Sequence, residues 1–153
     1  MLAAGGWNFG TRVFSIVAND PQKRQNFANS AAETVLKYGF DGFDIDWEYP
    51  NVAEGSRPSD KQALVEMLRV FRQRFDRDGL LLSLATNSAP DKVDVSFDIP
   101  AISQIVDFIN IMAYDLHGSW EPVTGHNAPI KYGSYLDNFP DQAKNLYIVS
   151  SKQ

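Results

Sequence analysis

Residues 40–50 read FDGFDIDWEYP, and the reading of this stretch decides the fold. From Gly42 to Glu48 the residues alternate in character, and the run closes at Pro50, which predicts a β-strand entering a loop from Pro50 to Pro58. Residues two apart in a strand share a face, so Asp44, Asp46 and Glu48 form a line of carboxylates about 6.6 Å apart. Phe43, Ile45 and Trp47 form the opposite face. An apolar face of that size packs on helices, which sends the three acids to the other side of the sheet.

Working outward, Asp20-Pro21 supplies an N-cap followed by proline at the first helical position, and Phe27, Ala31, Val35 and Leu36 repeat at helical spacing until Gly39. A helix is predicted from Pro21 to Tyr38. Before it, MLAAGGWNFG reads as a short strand running into a loop. After the acidic strand, Ser59 and Gln62 form a capping-box pattern, and Leu64, Met67, Leu68, Phe71 and Phe75 make an apolar stripe. This predicts a helix from Asp60 to Arg77, with Gly79 past its end. LLLSLAT, Leu80 to Thr86, is a near-continuous apolar strand. Ile99, Ile102 and Ile105 mark a short helical turn before a fourth strand at Phe108 to Tyr114.

Alternating strands and helices imply an α/β fold with a parallel sheet covered by helices. The remaining choice is between an open doubly wound sheet and a barrel. The strands start near residues 2, 40, 80 and 107. That repeat suits a (β/α) TIM-type barrel, whose eight units total roughly 250 residues, so a partial barrel of about four βα units is expected. Ile130 to Gln153 shows no clear further unit.

At 153 residues the chain is expected to be one domain or a piece of one. Its 14 Lys+Arg against 19 Asp+Glu give a net charge of −5, which lacks the electrostatic footprint of a nucleic-acid or anionic-membrane binder. With no cysteine there is no disulfide framework, Cys-based zinc site or thiol nucleophile. No run approaches the roughly 20 apolar residues of a membrane span. The first residues lack the pattern of a signal peptide, and no N-glycosylation sequon occurs.

Three like charges on a poorly solvated face cost several kcal/mol unless some are protonated or paired, so mutual repulsion should raise at least one pKa. Carboxylates with separated pKa values are what general acid catalysis near neutral pH needs. Two other readings stand beside this one. Alternation alone also describes an edge strand with a solvated acidic face. Asp and Glu oxygens also suit calcium or magnesium, although here the glycine precedes the acids, unlike a calcium loop. The position of Glu48 near the strand's C-terminal end, where barrel enzymes hold catalytic groups, favours a catalytic role.

DGFDIDWEYP (residues 41–50) resembles the active-site signature of glycoside hydrolase family 18, the chitinases and chitinase-like lectins. The resemblance extends to AAGGWNFG (residues 3–10) and INIMAYDLHGSWEPVTGHNAP (residues 109–129), in order and spacing. It covers about residues 2–130 of a partial catalytic domain spanning 1–153, with 131–153 a divergent tail. It implies strands three to six of an eight-stranded barrel. It also implies hydrolysis of β-1,4 bonds between N-acetylglucosamine units by a retaining, substrate-assisted mechanism.

By this resemblance, Glu48 protonates the glycosidic oxygen while the substrate's acetamido carbonyl oxygen attacks the anomeric carbon. Asp46 holds the acetamido N–H, and Asp44 beneath it shares a proton. Tyr114 donates to the acetamido oxygen, and Asp115 orients the sugar. Gly5 and Gly6 let backbone approach the sugar chain, Trp7 and Asn8 contact it, and Tyr49 borders the site. Met112 and Ala113 lie under the sugar and Trp120 stacks on it. No cofactor or metal is implied, the partners are chitin or N-acetylglucosamine oligosaccharides, and the parent protein is expected to be extracellular. His117 and His126 read as solvated or loop hydrogen-bonding residues.

Two departures accompany the resemblance. Ala3 stands where the family usually has Ser, which leaves Asp44 one donor fewer and favours its protonated form. The family's first two and last two strands are not in this sequence, so the chain by itself is expected to be marginally stable or to need a partner or those parts. A carbohydrate-binding lectin and an inactive truncated fragment are the alternatives to an enzyme. Family lectins typically replace the catalytic Glu, and an intact Glu48 favours the enzyme.

Overall fold

The computed structural model describes residues 1–122 and 124–128. The predicted features of 131–153 lie outside the described residues. The elements are β1 (Leu2–Gly5), a 3-10 turn (Trp7–Phe9), α1 (Arg12–Ala18), α2 (Pro21–Tyr38), β2 (Gly42–Asp46), α3 (Asp60–Phe75), β3 (Leu81–Asn87), α4 (Pro90–Ser96), α5 (Ile99–Ile102) and β4 (Phe108–Met112). The sheet order is β1-β2-β3-β4, with β1, β2 and β3 parallel. Sheet order thus follows chain order with no reversal, as in a barrel and unlike a doubly wound sheet.

The chain divides into two compact units. One comprises Met1–Thr86 and Asp94–Asn110, and the other comprises Asn87–Val93 and the part from Ile111 onward.

In the first unit, α2 is encoded at both of its ends. The Asp20 carboxylate accepts from the Gln22 and Lys23 N–H groups, Pro21 opens the helix, and Gly39 (φ +70°) closes it with bonds from Gly39 and Phe40 N–H to the Leu36 and Val35 carbonyls. The predicted helix limits are those observed. The face of α2 carrying Ala28, Ala31, Ala32 and Val35 is buried.

Phe27 of α2 meets Phe43 of β2 and Phe71 of α3, with centroids 5.9 and 5.0 Å apart. Phe14 of α1 stacks on Trp47 at 5.4 Å. Phe43, Ile45 and Trp47 are all buried, so the apolar face of the acidic strand lies against the helices as its alternation predicts. Each aromatic pair adds about 0.5–1.5 kcal/mol beyond its buried area.

Other local expectations yield to tertiary partners. The capping box at α3 does not form: Ser59 makes no side-chain cap, and its hydroxyl donates to Asn19 Oδ1 at 2.7 Å. Gln62 turns instead to Glu66. Asp60, fully buried, takes over that end of α3, accepting from Ser15 Oγ (2.9 Å), Asn19 Nδ2 (2.7 Å) and the Arg57 N–H (2.7 Å). The helix ends at Phe75 rather than Arg77, and β4 ends at Met112 rather than Tyr114. Helices α1 and α4 were not expected from the sequence.

The acidic strand also stops earlier than its alternation. β2 ends at Asp46, where its pairing with β1 also ends: Gly5 pairs with Asp46, and β1 then turns into the 3-10 turn. Glu48 therefore stands beyond the strand. A Cβ at Gly5, where φ is +122°, would lie 1.9 Å from the Asp46 carbonyl oxygen. Gly79 also has positive φ (+65°), but nothing surrounds its position.

Gly5→Ala is expected to cost about 3 kcal/mol in urea unfolding, the sum of a backbone clash and left-handed strain, and Gly79→Ala about 1 kcal/mol from strain alone. Equal losses would show that the approach to Asp46 is not what demands glycine.

Candidate active site

Asp44 and Asp46 leave β2 on the face opposite the helices, and strand pairing decides their surroundings. Asp44 lies in register between Ala3 on β1 and Ser83 on β3. Ala3 has no hydroxyl to offer. Ser83 and Asn110 supply the donors instead, both to Asp44 Oδ1, Asn110 Nδ2 at 2.9 Å. The expected shortage of donors at Asp44 is thus made up from β3 and from β4.

Asp46 has a different environment. Its Oδ1 is buried and has no hydrogen-bond partner among the described residues, while the Gly6 N–H donates to its main-chain carbonyl at 2.9 Å. Burial raises the Asp46 carboxyl to about 6, with the neighbouring charges of Glu48 and then Asp44 adding to the rise. Repulsion within the line of acids was expected to raise one pKa. It contributes, but burial leads.

Glu48 is half-buried, and the peptide bond linking it to Tyr49 is cis. Its neighbours are fixed on both sides. The Trp47 indole N–H donates to the Thr11 hydroxyl, and that hydroxyl donates to the Tyr49 carbonyl at 3.4 Å. The Tyr49 ring meets Phe97 edge to face at 6.4 Å.

Glu48 opens into a hollow of about 750 Å³ that it shares with Trp7, Thr11, Arg12, Glu54 and Gly55. Trp7 is 72% exposed and Asn8 is exposed, so both present side chains to solvent. Of the glycines, Gly5 touches the Asp46 backbone, whereas a Cβ at Gly6 would lie 3.7 Å from Asp46 Oδ2. Thr11 and Arg12 are not among the residues marked by the sequence motifs. The signal available was a threonine ahead of an apolar-periodic run, Val13, Phe14, Ile16 and Val17.

The other named residues lie in the second unit. Met112 and Ala113 are half-buried, and Tyr114, Asp115 and Trp120 are exposed, Trp120 at 64%. Asp115 has a left-handed backbone (φ +56°) and accepts from Asn127 Nδ2 at 3.1 Å. Of the two readings of His117, loop hydrogen bonding is the one observed: it is buried, its Nδ1 lies 2.7 Å from Glu121 Oε2, and Gly125 packs directly against its ring. His126 is exposed. Among the described residues no group of His, Asp and Glu is arranged to hold a metal ion.

Chemically, the first unit offers an anchored carboxylate (Asp44), a carboxyl titrating near 6 (Asp46) and an acid reaching an open hollow (Glu48). A carboxyl raised to about 6 can hold or release a proton near neutral pH, which a proton-transferring site requires.

The chain is 39% identical to probable chitinase 2 of Drosophila melanogaster over 129 residues, 84% of this chain and 26% of that protein. It is 39% identical to chitotriosidase-1 of Mus musculus over 160 residues, 97% of this chain and 34% of that protein. Among solved structures, the Ostrinia furnacalis group IV chitinase in complex with allosamidin superposes with a TM-score of 0.84 at 37% identity, covering 96% of this chain and 41% of the other. The chain thus spans a quarter to two-fifths of the length of these relatives, and its four strands are part of a β/α barrel. The model of glycosyl hydrolases family 18 matches residues 1–150, and the chain belongs to that family.

Proposed function

We propose that this chain carries the proton-transferring half of a chitinase, acting on β-1,4-linked N-acetylglucosamine chains with retention of configuration. The observation that carries the reading is the set Asp44, Asp46 and Glu48 at the C-terminal end of a parallel strand, with Asp46 raised to about 6. Relatives named as chitinases, and a structural neighbour holding allosamidin, support the substrate class.

In the first step the Glu48 proton passes to the glycosidic oxygen as the bond from that oxygen to the anomeric carbon breaks. The acetamido carbonyl oxygen of the same sugar forms a new bond to that carbon. The resulting ring is positively charged, and Asp46 stabilises it while accepting the acetamido N–H. Asp44, held on one oxygen by Ser83 and Asn110, exchanges a proton with Asp46 as charge develops. Water then opens the ring, and its proton returns to Glu48.

Tyr114 donates to the acetamido oxygen and Asp115 orients the sugar, on the strength of their motif. Gly5, Gly6, Trp7, Asn8, Tyr49, Met112, Ala113 and Trp120 serve the sugar chain. Apolar faces of pyranose rings suit exposed indoles such as Trp7 and Trp120. We place the parent protein outside the cell, as expected for an enzyme whose polymeric substrate lies there.

Hydrolysis of a fluorogenic chitin oligosaccharide by the folded chain, beside its Glu48→Gln variant, tests the reading. Turnover is expected to fall by about a hundredfold or more in the variant. Saturable binding with no turnover in the wild type would assign a lectin-like role instead.

Asp46 also makes a stability prediction. A carboxyl raised from 3.8 to about 6 holds its proton more tightly in the folded state, so folding loses stability as pH rises from about 4 through 6, and the loss is complete above that. Asp46→Asn cannot ionise and escapes this loss. Above pH 6 it is expected to be more stable than the wild type by on the order of 1 kcal/mol after allowance for solvent screening, with the gap closing near pH 4. Parallel curves of melting temperature against pH would contradict the assignment.

A further inference from the structure

The hydroxyl of Thr11 is used in an unexpected way. Thr11 occupies the N-cap position of α1, where threonine ordinarily accepts a hydrogen bond from an N–H of the first helical turn. Here it makes no such bond, and its backbone is already helical (φ −94°, ψ −24°). The side chain, only 2% exposed, is directed elsewhere. Its oxygen accepts from the Trp47 indole N–H, and its proton goes to the Tyr49 carbonyl. Trp47 and Tyr49 are the residues immediately before and after Glu48.

We propose that Thr11 is a positioning residue for Glu48, clamping both neighbours of the acid through a single hydroxyl. The inference rests on the reading of Glu48 as the proton donor.

Three observations support it. A buried indole N–H can only donate, and a hydroxyl can accept from it while donating onward, so Thr or Ser fits this place and Val does not. The clamp belongs to a larger grip, since the Gly6 N–H holds the Asp46 carbonyl at 2.9 Å. Residues 6 and 11 together hold residues 46, 47 and 49, on both sides of Glu48. The Trp47 ring is already packed against Phe14, so the hydroxyl is not needed to bury it. What it adds is direction, and small errors of direction at a reacting group cost far more in rate than in stability.

The test compares the full chain with Thr11→Val, which keeps the shape and loses the hydroxyl, and Thr11→Ser, which keeps the hydroxyl. With a fluorogenic chitin oligosaccharide, Thr11→Val is expected to lower kcat by about tenfold or more while KM changes by less than about threefold. Thr11→Ser is expected to restore kcat. Carboxyl-labelled NMR titration supplies a readout independent of turnover. Releasing Glu48 alters its influence on Asp46, so the Asp46 midpoint should shift in Thr11→Val and return in Thr11→Ser.

Wild-type kcat with an unchanged Asp46 titration in Thr11→Val would overturn the proposal. So would equal loss of kcat and melting temperature in both variants, because serine keeps the hydroxyl and the loss would then follow the packing of the threonine rather than its hydrogen bonds. If the folded wild type does not turn over, the catalytic reading fails and the clamp is judged on the titration alone. Should Thr11→Val not fold, Trp47→Phe removes the indole donor, retains an aromatic ring, and carries the same expectations.

Discussion

The neighbourhood of the acid depends on the contact of the Gly5 backbone with the Asp46 carbonyl. No side chain fits between them. That contact fixes the register of β1 against β2, and a slip of one residue would turn Asp44 and Asp46 toward the helices and Phe43 and Ile45 away from them. It also ends the pairing. Beyond Gly5 the chain turns and enters α1, which brings Thr11 under Trp47. The close approach, the end of β2 and the fixing of residues around Glu48 are one geometric event seen from three places.

The sequence was legible wherever the deciding chemistry was local. The limits of α2 follow from Asp20, Pro21 and Gly39, all of which act on their own neighbours. The burial of Phe43, Ile45 and Trp47 follows from period-two alternation, which tertiary structure had no reason to override. It was illegible where a side chain left its neighbourhood. Ser59 abandoned its helix for Asn19, and Thr11 abandoned α1 for Trp47. Alternation carried the acidic strand on to Glu48, whereas the strand ends where its pairing with β1 ends. At the candidate site, the row of acids was readable, but the donors on Asp44 were not, because Ser83 and Asn110 become neighbours only through strand order.

The two aspartates of β2 show how one strand face supplies unlike groups. Asp44 has one oxygen held by two donors, Ser83 and Asn110. Asp46 is buried with an unpartnered oxygen and a raised pKa, which disfavours its charge. A chain selected for stability alone would place neither here. The aromatic packing on the reverse face, with Trp47 on Phe14 and Phe43 between Phe27 and Phe71, opposes that cost within the same few residues.

The caps of α2 have a consequence for the order of folding. That helix is specified by residues within its own span and can form early. The pairing of Gly5 with Asp46 must instead close a long loop that contains α1 and α2, and the Thr11–Trp47 bond joins residues 36 apart. Non-local contacts of this kind are entropically slow to form. The pairing that encloses Asp46 is therefore non-local, although the carboxylates themselves are neighbours along one strand.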